Sequence, residues 1–247
     1  MLYEDDGLAE EFHVGTNNLG SLRFQRSAHL IHYDARIQKL VKDAPLRLEG
    51  KERVKLAPPA AIEDCSLGAA IRRRVSSREY SKESIELEQL STLLHYSNGF
   101  RNSGHRNAPS SGNLGSVEIF PIVLRVLGVQ PGIYHYDTSG HFLSLVQRGE
   151  FATWLREYAV YQREFSDAAL ALVLVGSIGR VTSKYGARGY RLVLLDVGHV
   201  SENAQLVATA AGLRVCATAG FIDGELNRAL GIDGLTTASF IVLLVGA

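Results

Sequence analysis

The segment RLVLLDVGHVSENAQLVATAAG, residues 191–212, constrains this chain more than any other. It has the length and spacing of one long helix, is apolar on most sides, and meets a stop at Gly212. A helix of that kind needs apolar neighbours round much of its girth, so it runs through a core or a subunit interface. The partners are at hand: ALVLVGS (171–177), LRVCATAGF (213–221) and SFIVLLVGA (239–247) all read as buried strands. FPIVLRVLG (120–128) is a further strand, and GIYHY and HFLSLV flank the turn residues DTSG as a hairpin. LGAAIRRRV (67–75) reads as a short helix with Leu67, Ala70 and Ile71 on one face. LEQLSTLLHYS (87–97) is a second helix, stopped by Gly99. Helices and strands alternate irregularly, which favours an α+β sheet over a doubly wound one.

Charge narrows the partners. Lys plus Arg and Asp plus Glu both number 26, so no global basic field exists to hold nucleic acid or an anionic membrane. The longest apolar runs are about half the ~20 residues that span a bilayer, and the acidic N-terminus lacks a signal-peptide pattern, so a cytoplasmic protein is expected. The linker-like stretch KLAPPAAIEDCS (55–66) joins an N-terminal arm, residues 1–60, to a main body, residues 61–247. Cys65 and Cys216 read as two buried thiols rather than a zinc site or a disulfide.

Signatures for a Rossmann nucleotide site, a P-loop, a zinc protease and an α/β-hydrolase are all absent. Four subtler stretches remain. In RRRVSSREY (72–80), three arginines end a helix, where its dipole would stabilise them as a solvated cluster. If the following residues are extended, however, Arg74, Ser76 and Arg78 point the same way and can clamp a phosphate and a carbonyl oxygen. HRNAPSSGNLGS (105–116) is a loop rich in hydroxyls and backbone N–H groups. CATAGF (216–221) carries small residues that let a flat ligand approach the backbone. GRVTSKYGARGYR (179–191) reads as a polar loop between two buried elements, with Lys184 beside Tyr185 and Arg180, Arg188 and Arg191 around them. Taken singly, each reads first as a turn or a solvated charge cluster.

Together, in this order and spacing, the four resemble the FMN-dependent nitroreductase superfamily, and within it the SagB-type, McbC-like azoline dehydrogenases. The stretch KYGARGYRLVLLDVGHVSENAQLVATAAGL carries the resemblance most specifically, and GIYHYD and AGFIDGELNRALGID add to it. The resemblance implies a central, mostly antiparallel sheet flanked by helices, in an intertwined homodimer that binds FMN at its interface. It implies oxidation of thiazolines and oxazolines in a peptide or carrier-bound peptidyl substrate to thiazoles and oxazoles. Molecular oxygen would be the electron acceptor, and a cyclodehydratase or synthetase complex a further partner. Residue by residue, Arg74, Ser76 and Arg78 match the motif that holds the FMN phosphate and pyrimidine edge. Pro109, Ser110, Ser111 and Asn113 match the loop along the isoalloxazine, with Arg106 upstream. Ala219 and Gly220 match the turn facing flavin N5, and Lys184 and Tyr185 match the catalytic pair. Arg228 is the candidate for a second phosphate ligand. This chain departs from the pattern at Val75, where a basic residue is common, and at Gly115-Ser116, where an aromatic or His precedes Pro.

The implied chemistry removes two electrons and two protons from the ring, one hydrogen leaving as hydride to the flavin. The other leaves as a proton that needs a base. Free Lys and Tyr titrate near ~10.4 and ~10, so crowding by the arginines or burial beside the flavin would be required to recruit them at neutral pH. Asp196 and His199 read as polar residues satisfied in the core or an interface. Two rival readings stand beside this one. One is an NAD(P)H-dependent nitro, quinone or ene reductase, which needs no such base. The other is a non-catalytic flavin-fold subunit that scaffolds a peptide-modifying complex.

Overall fold

The computed structural model describes residues 7–17, 52–62, 65–101, 104–160 and 167–247. Most of the expected arm, residues 1–60, therefore lies outside the described residues. Its described parts are helix α1 (Leu8–Gly15) and strand β1 (Arg53–Lys55). Then come α2 (Leu67–Arg73), α3 (Leu87–Asn98), β2 (Val117–Val123), β3 (Gly132–Asp137) and β4 (Phe142–Arg148). After a short helical turn at Ala152–Trp154 follow β5 (Leu170–Gly176), α4 (Ile178–Tyr185), α5 (Arg188–Ala210), β6 (Arg214–Thr218), α6 (Asp223–Leu230) and β7 (Ala238–Gly246).

The seven strands form one sheet in the order β1-β4-β3-β2-β5-β7-β6, with every named pair antiparallel. This is the α+β, antiparallel arrangement expected. β5 shows how both faces are covered. Leu170, Leu172 and Leu174 join the core built with α3 and α5, while Ala171, Val173 and Val175 join the core beneath α6 and the 152–160 turn. Alternate residues point to opposite faces, so a strand buried on both must be apolar throughout. α5 contributes Val193, Val197, Val200, Ala204 and Val207 at helical spacing to the first core.

Several boundaries and one assignment differ from the sequence reading. The strand expected over 120–128 runs over Val117–Val123 instead, since Val126 and Val129 pair in a turn. Its Pro121 falls just where the β3 ladder ends, at Ile122 and Val123, and so disturbs only one flank. α2 ends at Arg73, and its supposed buried face is outside: Leu67 is 68% and Ile71 57% exposed, with only Ala70 in the core. α5 likewise leaves Leu194 and Leu195 exposed. Cys216 is buried and Cys65 half-buried, both free.

The loop at 179–191 is the plain error. Residues Ile178–Tyr185 form α4, and the rest begins α5. Thr182 and Ser183 donate their hydroxyls back to the Ile178 and Arg180 carbonyls, which removes them as breakers. Gly186 then turns the chain between the two helices, and with only two buried positions, Val181 and Lys184, α4 is too short to show a period.

Candidate active site

α4 places Lys184 on its inner side, 4% exposed, beside the half-buried Tyr185. Lys184 Nζ lies 5.1 Å from the Tyr185 ring centroid, over its face. Lys184 Nζ makes no hydrogen bond to any described residue, an expensive state for a buried polar group unless something else meets it.

Opposite the pair stands the Pro109–Asn113 loop. Gly112 has φ +61, and a Cβ added there would lie 2.5 Å from Tyr185 Oη and 2.7 Å from Lys184 Nζ. Both polar atoms thus converge on one point, and glycine is what leaves room for them. Asn113, at φ 55, is one of two described non-glycine residues with positive φ, so the loop is wound tightly and against preference.

Asp196 of α5 holds that winding in place. Its carboxylate accepts from Ser111 N at 2.9 Å, Ser111 Oγ at 2.9 Å, Ser110 Oγ at 3.3 Å and Ser116 Oγ at 2.5 Å. Asp196 sits on the buried stripe between Val193 and Val197, satisfied in the core as expected, and its holding of the 109–113 loop is a role the sequence reading missed, although a lone acid at core spacing could have signalled it. His199, by contrast, is exposed.

Arg106 is buried, donating from Nη1 to Asn98 O at 3.2 Å and Thr138 Oγ1 at 3.1 Å and stacking 4.6 Å from the Phe100 centroid. Arg180 does not crowd Lys184. It reaches Gly115 O at 2.6 Å and pairs with buried Glu118 at 3.5 Å, whose other oxygen lies 3.2 Å from His135 Nε2. Burial pushes the Glu118 carboxyl up, but the His135 bond and the charges of His135, Arg106 and Arg180 outweigh it and hold it below the usual range. Arg188 and Arg191 also point elsewhere: they bind Thr16 O and Thr16 Oγ1, tying down the end of α1.

Arg74 caps α2 with extended backbone, and Ser76 bridges Val215 of β6 in parallel. The side chains of Arg74, Ser76 and Arg78 make no hydrogen bond or ion pair with a described residue. The register shows where they stand. Val215 is level with Val245, Val245 with Leu170, and Leu170 with Val123, the last residue of β2. The Pro109–Asn113 loop enters the same strand at its other end, Val117. With ~3.3 Å per residue, the seven residues of β2 set the two groups about 20 Å apart along the strand direction. Ala219, exposed, and Gly220, half-buried, form the turn after β6, with Gly220 N bonded to Thr218 Oγ1 at 3.0 Å. Arg228 is exposed and paired with Glu225. The fold therefore brings Lys184, Tyr185 and the 109–113 loop together, and keeps Arg74, Ser76 and Arg78 at the opposite end of the sheet.

A family model described as the nitroreductase family matches residues 71–247, well over half of the chain. The protein belongs to the nitroreductase family. Members are oxidoreductases that typically bind a flavin. Among its relatives is a candidate nitroreductase of Methanocaldococcus jannaschii, 33% identical over 69% of this chain and 87% of that protein. The microcin B17-processing protein McbC of Escherichia coli is 28% identical over 67% of this chain, a match that spans 63% of McbC. Among solved structures, the Escherichia coli microcin synthetase McbBCD complex, with truncated pro-MccB17 bound, aligns over 98% of this chain and 92% of that chain. Its TM-score is 0.65 at 23% identity, a likeness of fold. No helix among the described residues is long and apolar enough to cross a membrane.

Proposed function

We propose that this protein is an FMN-dependent azoline oxidase of the SagB type, acting on thiazoline or oxazoline rings in a peptide or carrier-bound peptidyl substrate. One observation carries the reading: a buried, unbonded Lys184 and the Tyr185 hydroxyl converge over Gly112 of the Pro109–Asn113 loop. A reductase fed by NAD(P)H adds hydride and protons to its substrate, so it has no proton to remove and no need of a base there.

The residues fit a phosphorylated, flat cofactor. Arg74 and Arg78 offer uncommitted guanidinium groups and Ser76 a hydroxyl to a phosphate. The tightly wound 109–113 loop and the turn at Ala219 and Gly220 offer backbone approach to a ring system, with Arg106 behind. Bound there, the flavin would supply a two-electron acceptor for the hydride leaving ring carbon C5. The C4 hydrogen, acidified by the adjacent peptide carbonyl, leaves as a proton to Lys184 and Tyr185, and a C4=C5 double bond closes the aromatic ring. Oxygen is the proposed final acceptor. Because the clamp and the loop stand at opposite ends of one sheet, two copies of the chain would complete each site, the clamp of one meeting the loop of the other. By analogy with McbC in its complex, a cyclodehydratase or synthetase is the proposed supplier of substrate.

Purified protein should release FMN, and Arg74→Ala should lose much of it. Anaerobic single turnover with a thiazoline peptide should bleach the flavin. Lys184→Ala and Tyr185→Phe should keep the flavin but slow bleaching ~100- to 10,000-fold, the usual worth of acid–base groups. The likeness to a candidate nitroreductase favours one competing outcome. If NADPH bleaches the flavin and azolines do not, or if Lys184→Ala bleaches at the wild-type rate, the oxidase reading is wrong.

A further inference from the structure

Lys184 Nζ has no hydrogen bond to a described residue to hold it over Gly112, so its place is set by the helix that carries it. Along α4, the hydroxyls of Thr182 and Ser183 bond back to carbonyls of their own helix. Among the described residues, Arg180 is the one side chain of α4 with hydrogen bonds outside that helix.

Those bonds all go to one place. Arg180 Nη1 donates to Gly115 O at 2.6 Å and to Leu114 O at 3.4 Å, and the guanidinium pairs with Glu118 Oε1 at 3.5 Å. Leu114 and Gly115 end the loop that carries Gly112, and Glu118 is the second residue of β2, which that loop enters. Glu118 is buried and in turn meets His135 Nε2 on β3 at 3.2 Å, so the anchor is set into the sheet. The Arg180 side chain is itself only 10% exposed.

The loop is therefore fixed at two points. From α5, Asp196 holds Ser111 by its N–H and its hydroxyl. From α4, Arg180 holds Leu114 and Gly115. Only Gly112 and Asn113 lie between, and Gly112 is the residue that Lys184 Nζ and Tyr185 Oη face. Arg180 and Lys184 stand four residues apart on α4, on one face and about 6 Å apart along its axis. The cation that grips the loop is thus one helical turn from the amine that must face it.

We propose that Arg180 is a positioning residue: by clamping α4 to the junction of the loop and β2, it sets where Lys184 Nζ stands over Gly112. The proposal rests on the azoline-oxidase reading for what Lys184 does there, and on these contacts alone for how it is held.

The test compares FMN-loaded wild type, Arg180→Ala and Arg180→Lys in anaerobic single turnover with a thiazoline peptide. Arg180→Ala should keep its flavin and lose about 10- to 100-fold in the bleaching rate at saturating peptide, the usual cost of a misplaced group. The peptide concentration giving half the maximal rate should hardly move. Added guanidinium ion should restore part of the rate, and Arg180→Lys should recover only part of it, since an ammonium lacks the fork that spans carbonyl and carboxylate. Should Arg180→Ala not fold, the loss in Arg180→Lys and its response to guanidinium decide in its place. Bleaching at the wild-type rate, or a loss that guanidinium leaves untouched, overturns the proposal while leaving azoline oxidation intact. Acetylation of Lys184 by acetic anhydride, followed by mass spectrometry with exposed Lys82 as the internal reference, separates the two ideas. If no thiazoline bleaches the wild-type flavin, the oxidase reading falls and the labelling decides alone. Several-fold faster labelling of Lys184 in Arg180→Ala, reversed by guanidinium, sustains the clamp, and equal labelling overturns it.

Discussion

Asp196 determines the shape of the candidate site without touching what would react there. Three serine hydroxyls and one backbone N–H converge on its carboxylate, and Ser111 and Asp196 are 85 residues apart. Removing the acceptor strands those donors in a poorly solvated pocket, each worth about 1–3 kcal/mol if left unsatisfied. Asp196→Ala should therefore lose about 3 kcal/mol or more of stability in urea denaturation and release the 109–113 loop. Asp196→Asn keeps one acceptor oxygen and should lose clearly less. Equal, small losses in both variants would show that the serines find other partners. At this scale the sequence was informative about residue type and silent about pairing. Lys184, Tyr185 and the serines stand out in polar stretches between apolar runs, but their convergence over Gly112 and on Asp196 is a matter of tertiary distance. The arginines near Lys184 show the same limit. They are neighbours in sequence, yet Arg180 turns to Glu118 and Gly115 while Arg188 and Arg191 turn to Thr16.

Long elements were legible and short ones were not. α5 announces itself because 23 residues repeat one period, and the buried strands because they are unbroken apolar runs. α4 offers two buried positions between glycines and reads as a loop. The β3–β4 hairpin was legible as well, and its turn carries a titratable device. His141, at φ +52, accepts the Tyr136 hydroxyl at Nδ1 (2.9 Å). Its Nε2–H faces Ala57 O at 3.1 Å and Ser91 Oγ at 2.7 Å, roles fixed by Ser91 donating its own proton to Ala57 O. The ring so fastens the hairpin to α3 and to the segment following β1. Burial lowers the His141 pKa, with the nearby charges of His95 and Lys55 acting in the same direction, and burial lowers that of His95 too. The unfolded chain therefore takes up these protons from about pH 6.5 downward while the folded chain resists. Stability from this source is complete above about pH 6.5 and is lost as pH falls through the lowered folded values. The melting temperature should drop between pH 7 and 5. In His141→Asn, whose side chain tolerates positive φ, the drop should be smaller although the variant is less stable at pH 7. Identical pH slopes would exclude His141 as a source.

At the scale of the whole molecule, the sheet has a sealed core on both faces and an outer surface that is not finished. Leu67 and Ile71 on α2, Val75 just beyond it, and Leu194 and Leu195 on α5 are all exposed, Val75 by 65% and Leu195 by 56%. Scattered exposed leucines are ordinary, but an apolar row on two helices that pack on each other marks a contact surface. The distribution of candidate ligands calls for the same surface. Arg74, Ser76 and Arg78 extend from the C-terminus of α2, about 20 Å along the strands from the loop they would serve. A two-fold partner seated on α2 and α5 could bring each clamp to the other chain's loop and bury the row in one step, since a two-fold contact uses the same patch twice. Light scattering should accordingly give a dimer with flavin bound. Ile71→Asp combined with Leu195→Asp should give a folded monomer, because both side chains are already in water in the single chain and their replacement disturbs no core. That monomer should lose FMN even though every residue of the clamp and the loop remains. A wild-type monomer that retains its flavin, or a variant monomer that binds FMN as tightly as wild type, would mean that one chain assembles the site unaided and that the register separation is bridged within it.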